Sequence, residues 1–138
     1  MVNWLAKKRL ISLALMLFVG CTSREIKPVD IYPEDNCSHC RMAISDQSFA
    51  SEIITQENEV YKFDDIGCAE NFKQESPSLK IAATFVKDYT TKNWLRYDKA
   101  VFIETKLITP MGSGKIAFAD SSKAKEFAEK YSAMTGTE

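Results

Sequence analysis

The sequence predicts an α+β domain made of tandem β-β-α(-β) modules packed as one small body. Three observations predict it. Short stretches alternate apolar with polar residues, the period of a half-buried strand. Two amphipathic segments of helical period each follow an aspartate. The two strand–Asp–helix units also resemble one another: at an offset of 55, Phe63 matches Phe118, Asp65 matches Asp120, Ala69 matches Ala124 and Phe72 matches Phe127.

In chain order, "FASEIIT" (49–55) reads as a strand, and the polar turn "QEN" (56–58) joins it to a second strand opening "VYKFDDIGCAENF" (60–72). Asp65 stands where a carboxylate can accept the orphan N–H groups of a helix start. "LKIAATFVKDY" (79–89) supplies a further strand. In "VKDYTTKNWL" (86–95), Tyr89 and Trp94 read as aromatics closing a core, with a partner-docking surface as the alternative. The second unit pairs "AVFIET" (100–105) with "KIAFADSSKAKEF" (115–127) across a loop holding "TPMGSG". Ala124, Phe127, Ala128 and Tyr131 recur at i, i+3, i+4 and i+7, giving one apolar helix face. Neither half holds enough apolar residues for its own core, so both are expected in one body.

The N-terminus carries a different signal. Lys7, Lys8 and Arg9 precede the apolar run Leu10–Val19, the pattern of a secretory leader. A run of ten residues is too short to cross a bilayer, which takes roughly 20. "FVGC" ends the run, with small Gly20 before Cys21, as in a bacterial lipobox, although Phe18 stands where Leu is usual. The expected organisation is a lipoprotein signal peptide at 1–20, a lipidated tether at 21–35 starting on Cys21, and a folded domain at 36–134. A plain secretory signal with a stray cysteine is the alternative. Cleavage before Cys21 removes three basic residues from 18 and leaves 15 Lys+Arg against 19 Asp+Glu, a net of −4. That balance gives no reason to expect a nucleic-acid partner.

Of the four cysteines, setting Cys21 aside leaves Cys37, Cys40 and Cys68, an odd number for an exported chain. "NCSHCRM" (36–42) places Cys37 and Cys40 around His39, the chain's single histidine, with Met42 two residues on. A Cys37–Cys40 disulfide is one reading. A thiol–disulfide active site would need a helix starting at the motif to lower a cysteine pKa, and "RMAISDQSFA" shows no helical period. Zinc would need four donors, with Cys68 and His39 completing the count. Cu(I) fits a smaller, softer set, since thiolate and thioether sulfur suit it. If the segment is extended, Cys40 and Met42 share a face and His39 takes the other. Met111, between Pro110 and a Gly-Ser-Gly run, is a candidate third donor; filling an apolar gap is its alternative. Cys68 falls in the first turn after Asp65, where the helix N-terminus would favour its thiolate; a small buried residue is its default reading and a reserve metal ligand the sharper one. Asp64 and Asp65 could form a paired acid/base site, but no second catalytic residue type accompanies them, and capping and surface charge are their expected roles.

Taken together and in this order, "DNCSHCRMAI", "VYKFDDIGCAENF", "VKDYTTKNW" and "ITPMGSGKIAFAD", behind a lipoprotein N-terminus, resemble the NosL family of nitrous-oxide reductase accessory proteins. The resemblance implies a lipid-anchored periplasmic Cu(I) chaperone, not an enzyme. It implies a fold of two related β-β-α-β modules. Its implied partners are nitrous-oxide reductase, whose copper centre would receive the metal, and an ABC-type maturation complex. By position, Cys40, Met42 and Met111 would be the Cu(I) ligands, with Cys37, Cys68 and His39 as further candidates. The reading from a different class is a thiol–disulfide protein that uses Cys37 and Cys40 to keep a partner's cysteines reduced.

Overall fold

A computed structural model describes residues 25–135, with side chains to residue 132. The expected signal peptide and Cys21 lie outside the described residues. Among those described, no helix is long and apolar enough to cross a membrane.

The chain runs β1 (Ser51–Thr55), β2 (Val60–Phe63), α1 (Ile66–Glu75), β3 (Ile81–Lys87), β4 (Trp94–Arg96), β5 (Val101–Glu104), β6 (Lys115–Phe118) and α2 (Ser121–Thr135). The first four strands form an antiparallel sheet in the order β2-β1-β3-β4, and β5 and β6 form a separate hairpin. This is the expected α+β architecture, with one strand added. β4 was not legible as a strand because it is three residues long, too short for a period to show. It returns against β3 through a turn in which Lys92 takes a φ of 58° and its N–H bonds the Asp88 carbonyl. The first strand also starts later than expected: Gln47–Phe49 form a 3₁₀ turn capped by Asp46, and pairing begins at Ser51.

The repeat seen in the sequence is a repeat in space. Phe63 and Phe118 are both fully buried at the ends of their strands, and Ala69 and Ala124 bury the facing helix turns. Phe72 stacks 5.2 Å from Phe63, and Phe127 lies 5.6 Å from Phe118. Asp65 and Asp120 each accept a backbone N–H at the helix start, from Gly67 and Lys123 respectively. Two of the links between the modules lie beside β3 and β6. Ile66 and Ala117 share a buried cluster with Val86. Asp88 bridges to β6, where Tyr89 donates its N–H to the Ala117 carbonyl and the Asp88 carboxylate accepts the Ala119 N–H.

β1 is buried along its whole length because it is central and both its faces are covered. Ile53 faces the main core with Phe63, Cys37, Cys68 and Ala69. Ile54, on the other face, packs with Ala83, Phe85 and Ile26. The covering on that side comes from the segment expected to be a tether. Residues 26–35 lie on the body as a strap: Ile31 is buried, Val29 N–H donates to Glu52, and Lys62 bonds both the Asp30 carbonyl and the Asp35 carboxylate. Apolar Ile26 and Ile31 between the charges explain why this stretch packs, Ile26 on the outer sheet face and Ile31 in the main core.

Glu52 is fully buried beneath this strap, and its second carboxylate oxygen has no hydrogen-bond partner among the described residues. Burial pushes its carboxyl from the ordinary 4.5 up to about 7, against the downward pull of the Val29 N–H and of Lys62 and Lys87. Between those values the folded chain keeps a proton that the unfolded chain has lost. Its contribution to stability is therefore complete at low pH and is lost as pH rises from about 4.5 through about 7. Urea unfolding across this window should show the decline, and Glu52→Gln should flatten it; equal slopes for the two chains would refute the assignment.

Candidate metal centre

Three pieces of chain converge where α1 begins. The first is the turn 36–43. Asn36 bridges to Ala43, Cys37 N–H donates to the Met42 carbonyl at 2.8 Å, and Arg41 N–H donates to the Cys37 carbonyl at 3.0 Å. Ser38 N–H bonds the Lys62 carbonyl at 2.7 Å and pins the turn to β2. The second piece is Asp64-Asp65 and the first turn of α1, which carries Cys68. The third is the loop 108–114 between β5 and β6.

The turn brings Cys37 and Cys40 to Cys68 and Asp64. One potential ligand atom from each, three Sγ atoms and a carboxylate oxygen, lies within 4.8 Å of all the others. Cys37 is 1% exposed, Cys68 2% and Asp64 2%, while Cys40 is half-buried. All three cysteines are free thiols. Cys40 Sγ donates to the two Asp64 oxygens at 3.4 and 3.5 Å. Asp64 is therefore neither cap nor surface charge, as the sequence suggested; Asp65 alone caps, and Asp64 turns inward to the sulfurs. Only its place beside Cys68, in a D-D-x-x-C spacing, hinted at this.

Two local expectations are corrected. The stretch from Cys40 to Met42 is not extended: Arg41 has a φ of 69°, in the left-handed region, so the shared-face argument does not apply. Met42 is instead tied through its carbonyl to Cys37, and its side chain is 57% exposed. The helix start also does not favour a Cys68 thiolate. Burial pushes the Cys68 thiol far up, and Cys37 and Asp64 push it further. The Cys40 thiol is raised too, first by burial, then by Cys37 and Asp64, against the lowering effect of the Met42 backbone. Desolvation and a nearby carboxylate outweigh the partial charge of a helix terminus.

Met111 and His39 lie at the edge. With Cys68, Gly67, Ser113 and Lys115, they line a cavity of about 300 Å³. Met111 is 46% exposed. His39 Nδ1 lies 3.3 Å from Glu75 Oε2 on α1. The loop that carries Met111 is seated by Asp65, whose Oδ2 accepts the Thr109 hydroxyl at 2.6 Å and the Met111 N–H at 3.0 Å. These bonds, with those from Ser113 and Gly67, hold the Asp65 carboxyl below its usual range although burial pushes it up.

The donor chemistry is soft. Three thiols beside a carboxylate cannot all ionise alone, since like charges would meet in a desolvated site. A bound cation reverses that balance, and binding would release thiol protons. The arrangement defines an α+β domain with a buried thiol cluster on one module and a methionine loop from the other closing over its edge.

The chain belongs to the NosL family, whose model matches residues 28–135. A crystal structure described as the copper chaperone NosL from Shewanella denitrificans has a similar fold, with a TM-score of 0.68 and 19% identity, covering 76% of this chain and 87% of that one. No curated protein matches the sequence.

Gly67 is where the loop meets the helix. A Cβ there would lie 2.7 Å from Ser113 Cβ and 3.2 Å from Asp65 Oδ1. Gly67→Ala is expected to cost about 1–3 kcal/mol by overpacking, only partly offset by the roughly 0.5–1 kcal/mol that Ala gains over Gly within a helix. Chemical denaturation checks the sign, and a gain in stability would show that the loop yields freely.

Proposed function

We propose that this protein is a carrier of Cu(I), not an enzyme, held to a bacterial membrane by a lipid on Cys21 and facing the periplasm. It hands copper on for assembly of the copper centre of nitrous-oxide reductase, docking with an ABC-type maturation complex. The observation that carries the reading is the gathering of three free thiols within 4.8 Å, with Met111 lining the adjoining cavity. Family membership and the copper chaperone of similar fold support it.

In this reading Cys40, the half-exposed member of the cluster, is the anchoring thiolate. Met42 and Met111, both exposed, are exchangeable thioethers. Cys37 and Cys68 stand behind them as buried donors, and His39 waits at the rim. Few and partly exposed ligands suit a donor, because a partner's ligand can enter before the last bond to copper breaks. The thiol–disulfide alternative is disfavoured by the raised Cys40 thiol and by a turn, rather than a helix start, after the motif. A zinc site draws support from the four clustered donors.

Anaerobic Cu(I) titration against a chromogenic chelator tests the proposal. Cys40→Ser should lose at least about tenfold in affinity and Met42→Ala a smaller factor, with the fold intact by circular dichroism. Wild-type affinity in both variants would sink the ligand assignment, and preference for Zn(II) over Cu(I) in direct competition would sink the copper reading.

Cell fractionation tests the anchor. Cys21→Ala should move the protein from the membrane to the soluble extracytoplasmic fraction, and retention at the membrane would rule out lipidation at that residue.

A further inference from the structure

The two aspartates that the repeat equates are used differently. Asp120 is exposed, and the bonds it accepts are local to its own helix start, with Oδ1 taking the Lys123 N–H and the Ser122 hydroxyl. Asp65 is fully buried and works with both oxygens. Its Oδ1 accepts the Gly67 N–H at 2.7 Å, as a cap does. Its Oδ2 crosses to the other module and accepts Thr109 and Met111 from the loop. Thr109 is buried as well, and its hydroxyl accepts the Gly114 N–H at 3.2 Å, so the loop is folded around the same contact. A buried carboxylate that loses such donors bears an uncompensated charge. The loop is therefore held to the helix that carries Cys68, one turn from its start.

We infer that Asp65 is the positioning residue that sets Met111 beside the thiol cluster, a role gained when one of two equivalent caps turned its spare oxygen toward the other module. The inference rests on Met111 being a copper ligand, as proposed above. Asp65→Asn is the pointed substitution. With its amide oxygen kept on Gly67, its NH₂ faces the Met111 N–H, donor against donor, while the Thr109 hydroxyl can still accept a bond.

The experiment uses the full chain with ¹³C-methyl methionine, and compares wild type with Asp65→Asn, Met111→Leu, the double variant and Asp120→Asn. In the metal-free protein, Asp65→Asn should move the Met111 methyl resonance, and Asp120→Asn should not. Cu(I) affinity should fall by about tenfold or more in Asp65→Asn, and the double variant should bind no more weakly than Met111→Leu alone. An unmoved Met111 resonance in Asp65→Asn, or losses that multiply in the double variant, would overturn the inference. A wild-type chain that binds no Cu(I) overturns the proposed function instead, while the metal-free methyl resonance still decides whether Asp65 places Met111. If Asp65→Asn does not fold, Thr109→Val, which removes the hydroxyl between carboxylate and loop, takes its place with the same readouts.

Discussion

A carboxylate with no access to water must have its charge answered by donors, and at Asp65 that demand organises the molecule. The donors come from a helix start and from a loop far along the chain, so satisfying one side chain brings two modules together. The neighbouring residue choices follow from it. Gly67 has no side chain because Ser113 occupies that space. Gly114 turns with a φ of 66° where any Cβ would strike the Thr105 carbonyl. Thr109 supplies a short hydroxyl rather than a longer group, and so reaches both the carboxylate and the Gly114 amide.

The thiol cluster obeys the opposite logic. Asp65 is content with its charge, whereas the Cys40 and Cys68 thiols are pushed toward their neutral forms by burial and by Cys37 and Asp64. Two adjacent aspartates thus divide the work: one holds a settled negative charge for architecture, and the other makes an unsettled environment for sulfur. Burial favours the protonated thiols, so a cation bound among them would have to displace protons, and its affinity would be tempered by them.

Much of this was legible in the sequence. The strands of both hairpins, both helices and their aspartate caps follow from period and capping chemistry, and the offset repeat equated Phe63 with Phe118 and Phe72 with Phe127, which take matching places in the two modules. The C-x-x-C-x-M stretch, Cys68 and Met111 all stood out by residue type. What escaped depends on distances the chain does not write locally. Asp64 and Asp65 are neighbours of the same type, and only the fold sends one to the helix and the other to the sulfurs. β4 is too short to display a period. The strap at 26–35 reads as a tether because its charges mask Ile26 and Ile31, one used on the outer sheet face and the other in the main core. The left-handed turn at Arg41 is carried by a residue that seldom signals one.

The bond from Met111 to Asp65 spans 46 positions, and that from Thr109 spans 44. Contacts of such separation close late, because loop-closure entropy must be met before they form. The three thiols of the cluster belong to the first module and leave the ribosome before the second hairpin has been made. The cluster can gather early, but its methionine edge is completed only when the last strand pair docks. A finished edge is thus a record of a finished chain: a truncated or half-folded molecule would present sulfur without the loop that bounds it.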